Sequence, residues 1–409
     1  MRVTTLFRRL LGVTATLVEA VELRLDGELV LAVRPSWRRV RCGGCGARAA
    51  GYDRKPARRW RHLGFGATPV YLSYAPRRVQ CSRCGVRTER VPWGASESRF
   101  TWGFEELVAY LAQITDKTKV TQLTGIAWPT VGAIVERVVT ERLDPQRLTG
   151  LRRIGVDEFS YRKRHGYLTV VVDHDKRRVV WAGEGRSGDV LAGFFALLGE
   201  EGRRNIREVT IDMAGGFIAA VRSWLPRAKI VFDRFHVQRL ASEAVDEVRR
   251  EQVREQAGTA PGRAIKRTRF ILLKSPWHLT PPEHARLSEL QRTNRRLYRA
   301  YLLKEALADA LDYRTPEIAR AKLLAWLRWA ARSRLRQFAR VARTIRKHLE
   351  GIVAYIRTRL TNGLVEGLNA KLRMVARRAF GFHSAQALIS MLFLTCGGIQ
   401  LTPPLPTRT

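Results

Sequence analysis

Hydrophobic and polar residues alternate in several short segments near the N terminus. The segment VELRLDGELVLAV and residues 68–74 have the period of two that is typical of strands, and turn-forming residues separate them. After residue 99 the period becomes helical, because Phe104, Val108 and Leu111 fall on one apolar stripe. The pattern therefore predicts a β-rich module over residues 1–96 and a helical module over residues 97–150.

The helical module contains the segment KTKVTQLTGIAWPTVGAIVERVV, which predicts two short helices joined by a turn. Val120 and Leu123 give the first helix an apolar side, and Pro129 suits the first turn of the second helix. This is the pattern of a helix-turn-helix, whose second helix enters the major groove of DNA. Thr130 is then a candidate DNA contact. A helical hairpin that binds nothing has a similar pattern and remains an alternative.

The pattern becomes that of an α/β domain after residue 151. Three strand-like segments, RRIGVDEFSY, GYLTVVVDHD and RVVWAGEG, precede a helix over residues 189–198, the strand EVTIDMA, a helix over residues 216–224 and the strand AKIVFDRFHV. This is the element order of an RNase H-like sheet. Residues 238–350 have no strand pattern and predict an all-helical insertion, which leaves residues 151–237 and 351–409 as the RNase H-like core. The apolar segment AQALISMLFLTCGG is too short to span a bilayer and predicts a buried last helix.

The charge of the chain indicates a polyanionic partner. There are 74 Lys and Arg residues against 37 Asp and Glu, a net charge of +37, and such an excess favours nucleic-acid binding over a merely solvated basic surface. Residues 318–347 contain ten basic residues and no acid. The candidate phosphate contacts in this stretch are Arg328, Arg332, Arg336 and Arg340. Trp326 and Trp329 share a helical face there, either as core residues or as a stacking platform for an unpaired base.

Four of the five cysteines form two pairs with metal-ligand spacing. Cys42 and Cys45 make one CxxC pair, Cys81 and Cys84 make the other, and Cys396 stands alone in the last apolar segment. Two such pairs in a cytosolic protein indicate one tetrahedral structural zinc site rather than disulfides. A redox CxxC motif is the alternative. The basic residues around the pairs suit a ribbon that faces DNA, and a purely structural ribbon is also consistent with them.

Two carboxylates are predicted to meet at one edge of the RNase H-like sheet. Asp157 is expected to end its strand, Asp212 is expected to end the neighbouring strand, and these strands lie side by side in that topology. Two unpaired carboxylates would repel each other, so one would hold a proton. A pair of Mg²⁺ ions resolves the conflict and supports phosphoryl transfer.

A third carboxylate is expected on a helix after the last strand. Glu366 lies in TNGLVEGLNAKLRMVARRAFGF, with Thr361 or Asn362 as the helix cap. Asn369 is spaced to support the carboxylate from the same helical face. The residues suited to hold the DNA backbone there are Lys371 and Arg373.

Over essentially the whole chain, these segments resemble the ISL-three (ISL3) insertion-sequence family of bacterial DDE transposases. The resemblance rests on the CxxC pairs, the helix-turn-helix, IGVDEFSYRKRHGYLTVVVDHD, TIDMAGGFIAAVRSWLPRAKIVFDRFHV and the segment that contains Glu366. It implies that Asp157, Asp212 and Glu366 are the catalytic triad. It also assigns Asp233 and His236 to a DxxH element, so Asp233 competes with Asp212 for the second metal-binding position.

The resemblance implies an enzyme that binds terminal inverted repeats, cleaves DNA and joins the freed end to target DNA. The expected cofactors are two catalytic Mg²⁺ or Mn²⁺ ions and one structural Zn²⁺. A homodimer or larger assembly would pair the two ends, and the expected location is the bacterial cytoplasm, in association with the nucleoid. The alternatives are an RNase H-like DNA nuclease that does not join ends and a catalytically inactive DNA-binding regulator.

Overall fold

The computed structural model describes residues 2–162, 166–213, 215–361, 363–379, 382 and 384–402. Asn362, one of the two predicted helix caps, lies outside the described residues. The chain divides into two compact units. The first unit comprises Met1–Leu143 and Phe393–Thr409, and the second comprises Asp144–Leu392.

The first unit begins with strands and continues with helices, as the alternation of polar and apolar residues predicts. Its elements are α1 (Val3–Leu10), β1 (Thr16–Leu23), β2 (Leu29–Pro35), β3 (Ala50–Arg54), β4 (Arg58–Phe65), β5 (Thr68–Tyr74), β6 (Arg77–Cys81), β7 (Gly85–Thr88), α2 (Trp102–Ile114), α3 (Lys117–Thr124) and α4 (Trp128–Arg142).

The strands of this unit form two sheets. One sheet has the order β1-β2-β5-β4 and the other has the order β3-β6-β7. In the larger sheet Trp60, Val70 and Leu72 are buried at alternate positions of their strands and pack with Trp93. The smaller sheet has a core of only Val40, Val79 and cysteine side chains among its buried residues, so it needs another source of stability.

Three of the helices in this unit, α2, α3 and α4, follow the predicted helix-turn-helix. Asp116 caps α3 through the backbone N–H of Lys119, and Gly125 ends α3 at a φ of 69°, a conformation that favours glycine. The predicted apolar side of α3 is wrong at Leu123, which is 68% exposed. The helix instead buries the stripe through Lys117, Val120 and Thr124.

The second unit begins with three strands and ends in helices. Its elements are β8 (Arg153–Arg162), β9 (Gly166–Asp173), β10 (Arg178–Glu184), α5 (Gly188–Asn205), β11 (Glu208–Thr210), α6 (Gly215–Trp224), β12 (Lys229–Val231), α7 (Arg234–Glu255), α8 (Ala260–Lys266), α9 (Arg269–Leu273), a 3-10 turn (Pro276–His278), α10 (Pro281–Thr293), α11 (Arg295–Asp312), α12 (Pro316–Arg332), α13 (Arg336–Lys347), α14 (Leu349–Thr358), α15 (Gly363–Arg378) and the part of α16 (Ala385–Cys396) that precedes Phe393.

The five strands of the second unit form one sheet in the order β10-β9-β8-β11-β12. The pairs β10–β9 and β9–β8 are antiparallel, whereas β8–β11 and β11–β12 are parallel. This order and these directions confirm the RNase H-like α/β sheet that the element order predicts.

Two strand predictions are wrong in extent. Asp157 does not end β8, which continues to Arg162. The last strand stops at Val231, and Asp233 instead caps α7 by accepting a hydrogen bond from the backbone N–H of Phe235. An Asp side chain that satisfies a free N–H at a helix start favours the helix over a continued strand.

The helices after β12 share a hydrophobic core with the sheet. Phe194 and Val209 belong to the same buried cluster as Leu307 and Phe338 from α11 and α13. The two neighbouring tryptophans of α12 have different environments. Trp326 is buried and donates from Nε1 to the carbonyl of Leu303 at 2.8 Å, whereas Trp329 is 40% exposed.

Candidate functional site

The parallel register between β8 and β11 places the first two carboxylates together. Thr210 lies opposite Gly155 in this pairing. Asp212 comes two residues after Thr210, and Asp157 comes two residues after Gly155. Because the two strands are parallel, the two carboxylates lie at the same level of the sheet. The predicted juxtaposition arises although Asp157 lies within its strand rather than at its end.

Asp157 is held on both carboxylate oxygens. Its Oδ1 accepts from the backbone N–H of Glu158 at 2.8 Å, and its Oδ2 accepts from Nδ2 of Asn369 at 2.7 Å. Burial raises the pKa of Asp157, and the charge of Asp212 raises it further, although the Glu158 N–H and His236 oppose the shift. A bound cation would stabilise the ionised carboxylate of Asp157 and so offset the cost of burying its charge.

His236 lies between the other two carboxylates. Its Nδ1 is 3.5 Å from Oδ1 of Asp212, and its Nε2 is 3.9 Å from Oε1 of Glu366. Glu366 is on the first turn of α15, and Asn369 follows one turn later on the same helix. The structure therefore brings Asp157, Asp212, Glu366, His236 and Asn369 to one place.

Asp233 has a different environment from this group. It is fully buried and occupies the N-cap of α7, three residues before His236. A carboxylate there fixes the start of the helix that carries His236. This geometry favours a supporting role for Asp233 over a role as a metal ligand.

Arg239 is a residue of the site that the sequence argument missed. It lies one turn after His236 on α7, and its Nη2 is 3.3 Å from Oδ2 of Asp212. The spacing of three residues from His236 could have indicated it, because residues three apart share a helix face.

The donor set of this site fits a divalent metal ion. Two buried polar atoms, Oδ1 of Asn369 and Nε2 of His236, have no hydrogen-bond partner among the described residues. The oxygen-rich set of Asp157, Asp212 and Glu366 is the type that Mg²⁺ and Mn²⁺ prefer. The three carboxylates do not form a compact ligand cluster in the described part of the chain.

The four paired cysteines form a closed site of a different type. Their sulfur atoms all lie within 4.8 Å of one another, and Sγ of Cys45 is 3.6 Å from Sγ of Cys81. Tetrahedral zinc with bonds of about 2.3 Å places sulfur atoms roughly 3.8 Å apart, so these cysteines fit zinc. Backbone N–H groups of Arg83 and Cys84 lower the pKa of Cys81 to about 7, which favours the thiolate.

The helix-turn-helix presents one side of α4 to solvent. Val131, Ile134 and Val135 are buried, whereas Thr130 lies in the first turn and is partly exposed. Arg137 does not point outward, because its guanidinium donates to the buried carboxylate of Glu105 on α2 at 2.6 Å.

The predicted phosphate contacts on α12 and α13 differ in their partners. Arg336 lies 3.4 Å from Glu251, and Arg340 donates to Glu247 at 2.6 Å. Arg328 and Arg332 are exposed and form no ion pair among the described residues. On α15, Lys371 and Arg373 are also exposed.

Comparison with known proteins identifies the family. The model of the ISL3 transposase family matches residues 154–392, which is more than half of the chain and includes all three carboxylates. The chain belongs to the ISL3 family of transposases. It is therefore a DDE transposase, an enzyme that acts on DNA with a divalent metal.

Two further family models match the N-terminal part of this transposase. Residues 38–84 match the zinc finger of the transposases of IS204, IS1001, IS1096 and IS1165, and this range contains both cysteine pairs. Residues 89–139 match the helix-turn-helix domain of transposase family ISL3, which covers α2, α3 and most of α4. The predicted DNA-binding helix-turn-helix and zinc ribbon are thereby confirmed.

Named relatives agree over nearly the full length. The transposase is 40% identical to the transposase for insertion sequence element IS1557 of Mycobacterium tuberculosis, with 100% of this chain and 98% of that protein covered. It is 30% identical to the transposase for insertion sequence element IS1001 of Bordetella parapertussis, with 90% and 92% covered. None of the helices in the described residues has the length and apolar character needed to span a membrane.

Proposed function

We propose that Asp157, Asp212 and Glu366 hold the catalytic metal, as two Mg²⁺ or Mn²⁺ ions, and that the transposase cuts and joins DNA there. The observation that carries this assignment is the position of His236 between Asp212 and Glu366, with Asn369 bound to Asp157. When bound, the metal ions would activate the attacking oxygen and stabilise the leaving oxygen.

The site would carry out two successive phosphoryl-transfer reactions, cleavage at the end of the element and joining of that end to target DNA, and the side chains of the site orient the groups that take part. A water oxygen first attacks phosphorus at the end of the element, and the bond to the 3′ oxygen breaks to leave a 3′-hydroxyl. The oxygen of that hydroxyl then attacks the phosphorus of a target phosphodiester and forms the new P–O bond, while the bond from that phosphorus to the target's 3′ oxygen breaks and leaves a 3′-hydroxyl on the target strand. Asn369 orients Asp157, His236 orients the other two carboxylates, and Asp233 fixes the start of the helix that carries His236.

The remaining modules divide the recognition of DNA. Two N-terminal modules bind the terminal inverted repeats: the zinc ribbon of residues 1–96 and the helix-turn-helix of residues 97–150. The ribbon holds one Zn²⁺ on Cys42, Cys45, Cys81 and Cys84. The helical insertion of residues 238–350 holds flanking or target backbone between the two parts of the catalytic core, residues 151–237 and 351–409. Paired ends require a dimer or larger assembly in the bacterial cytoplasm, at the nucleoid.

Removing the hydrogen bond from Asn369 to Asp157 should weaken the metal site. We expect Asn369→Ala to raise the Mn²⁺ concentration for half-maximal cleavage about 10–100-fold, because partners that orient metal ligands typically contribute that much. Met374→Ala, at an exposed position of the same helix, is the matched control and should leave the Mn²⁺ dependence unchanged. An unchanged dependence in Asn369→Ala would show that this contact does not orient a metal ligand.

Removing two unpaired arginines from the insertion should weaken binding to all DNA alike. The double variant Arg328→Ala/Arg332→Ala should flatten the slope of log affinity against log salt by about 0.9 for each lost phosphate contact. The pair Arg336→Ala/Arg340→Ala should change it less, because each of these arginines already has a carboxylate partner. Binding isotherms at several salt concentrations measure both slopes.

Thr130→Ala should have the opposite effect to the Arg328→Ala/Arg332→Ala variant. It should reduce the discrimination between repeat and random DNA and leave the slope of log affinity against log salt unchanged. Groove contacts read sequence, whereas phosphate contacts position the protein. If the Arg328→Ala/Arg332→Ala variant loses only repeat binding, the insertion reads sequence and this division of roles is wrong.

A further inference from the structure

A basic recess lies at the outer edge of the catalytic sheet, where β12 meets the first turn of α14. It has a volume of about 460 Å³. We call it the edge recess, and the residues that define it are Arg222, Lys229, Lys347, His348, Gly351 and Arg357. None of the proposed catalytic residues lines it.

The recess depends on a close approach that only glycine permits. A Cβ atom on Gly351 would lie 2.5 Å from Cδ2 of Phe232 and 3.0 Å from the carbonyl oxygen of Ile230. Without that atom, the first turn of α14 packs directly against the edge strand, and the backbone N–H of Phe232 donates to the Gly351 carbonyl at 3.2 Å. The start of the helix is thereby fixed beside Lys229 and the end of α6.

Four cations surround the recess without partners of opposite charge. Arg222, Lys229, Lys347 and Arg357 are exposed, and none of them forms an ion pair with a described residue. Among the described lining residues the acidic one is Glu350, whose carboxylate is engaged by Arg320 at 2.7 Å. Neighbouring unpaired cations repel one another, and an anion between them removes the repulsion.

His348 adds a buried, unsatisfied group to the wall of the recess. It is 6% exposed, and its Nδ1 has no hydrogen-bond partner among the described residues. The residue occupies the N-cap of α14 but makes no side-chain capping bond, and its ring packs edge-on against Phe232 with centroids 4.9 Å apart. Burial, followed by the charges of Lys347 and Arg222, lowers the pKa of His348.

These features together match the requirements of a phosphate group. The start of α14 presents backbone N–H groups, although the C-terminal end of α13, which meets it at His348, partly offsets its helix dipole. Converging Lys and Arg side chains supply charge-assisted hydrogen bonds.

We propose that the edge recess is a phosphate-binding site and that its ligand is a phosphodiester of the DNA backbone, away from the scissile position. The aromatic rings in the described lining are those of Phe232 and His348, which are both buried against each other, so the recess offers no platform for the base of a free nucleotide. The proposal rests on DNA binding by the transposase and does not depend on the assignment of its catalytic carboxylates.

The test is the salt dependence of binding to a random-sequence duplex, measured on the full chain with no divalent metal added. The double variant Lys347→Gln/Arg357→Gln should flatten the slope of log affinity against log salt by about 0.9 for each lost contact, or about 1.8 for the pair. The matched control is Lys176→Gln/Arg177→Gln in the turn between β9 and β10, where both residues are exposed and form no ion pair with a described residue.

The control pair removes the same charge and should leave the slope unchanged. Equal flattening by both pairs would mean that only net charge matters, which would overturn the site. Zinc content and melting temperature, measured on both variants, establish that they are folded.

A second arm distinguishes DNA from free phosphate. Inorganic phosphate should raise the melting temperature of the unaltered chain more than chloride does at equal ionic strength, and Lys347→Gln/Arg357→Gln should abolish the difference. Phosphate protection with an unchanged DNA slope would overturn DNA as the ligand. Retained cleavage in Asp157→Asn would overturn the catalytic assignment alone and would leave the edge recess unaffected.

Discussion

Asp157→Asn, Asp212→Asn and Glu366→Gln should each abolish DNA cleavage and strand joining while binding to the inverted repeat remains within about twofold. Each change removes a negatively charged metal ligand and keeps the size of the side chain. The loss should be at least about a thousandfold, because a metal ion contributes several kcal/mol of transition-state stabilisation and each ~1.4 kcal/mol is a factor of ten. Gel assays of nicked and joined products measure both reactions.

Asp233→Asn is the informative control for the second carboxylate. Asparagine caps helices nearly as well as aspartate, so this variant should keep the start of α7 and retain measurable cleavage. If Asp233→Asn is inactive and Asp212→Asn is active, the second metal ligand is Asp233 and our assignment is wrong.

Removing one zinc ligand should unfold the N-terminal ribbon. We expect Cys42→Ala to reduce the zinc content from about one ion per chain to none, because a structural site needs all four ligands. Structural zinc contributes roughly 10–16 kcal/mol in small modules, and the β3-β6-β7 sheet has few other buried residues. Proteolysis should then begin between residues 38 and 89, and inverted-repeat binding should fall sharply.

Cys396→Ser is the matched control for zinc, because Cys396 is buried outside the cysteine cluster. This variant should keep about one zinc ion per chain. A folded ribbon in a zinc-free Cys42→Ala variant would contradict the structural role of the metal.

Features with local signals could be predicted from the sequence. The spacing of the CxxC pairs depends on the geometry of one ion, and it correctly identified all four cysteines that cluster in the structure. The buried face of α4, which includes Val131, Ile134 and Val135, follows directly from the helical period.

Features set by tertiary contacts could not be predicted in the same way. The α2 stripe was expected to run through Phe104, Val108 and Leu111, but the helix buries Glu105 and leaves Leu111 partly exposed, and Ser98 and Arg137 both donate to Oε1 of Glu105. The periodicity of apolar residues cannot predict that a charged residue is buried when its hydrogen-bond partners lie on other elements.

The candidate site shows the same limit. Asp157, Asp212 and Glu366 were identified from strand order and resemblance, whereas Arg239 was missed because its relevance depends on a contact across space with Asp212. The predicted extent of β12 was wrong because apolar residues continue past Val231, at Phe232, Phe235 and Val237, whereas the cap by Asp233 starts a helix there.

The most direct test of the central claim is joining of a labelled inverted-repeat end with a free 3′-hydroxyl to plasmid DNA. We expect joined product in Mg²⁺ or Mn²⁺ with the unaltered chain. We expect no product without divalent metal, with a 3′-deoxy end, or with Asp157→Asn, Asp212→Asn or Glu366→Gln. Cleavage of the plasmid without joining would indicate a nuclease, and joining by any of the three carboxylate variants would contradict their role as the catalytic metal site.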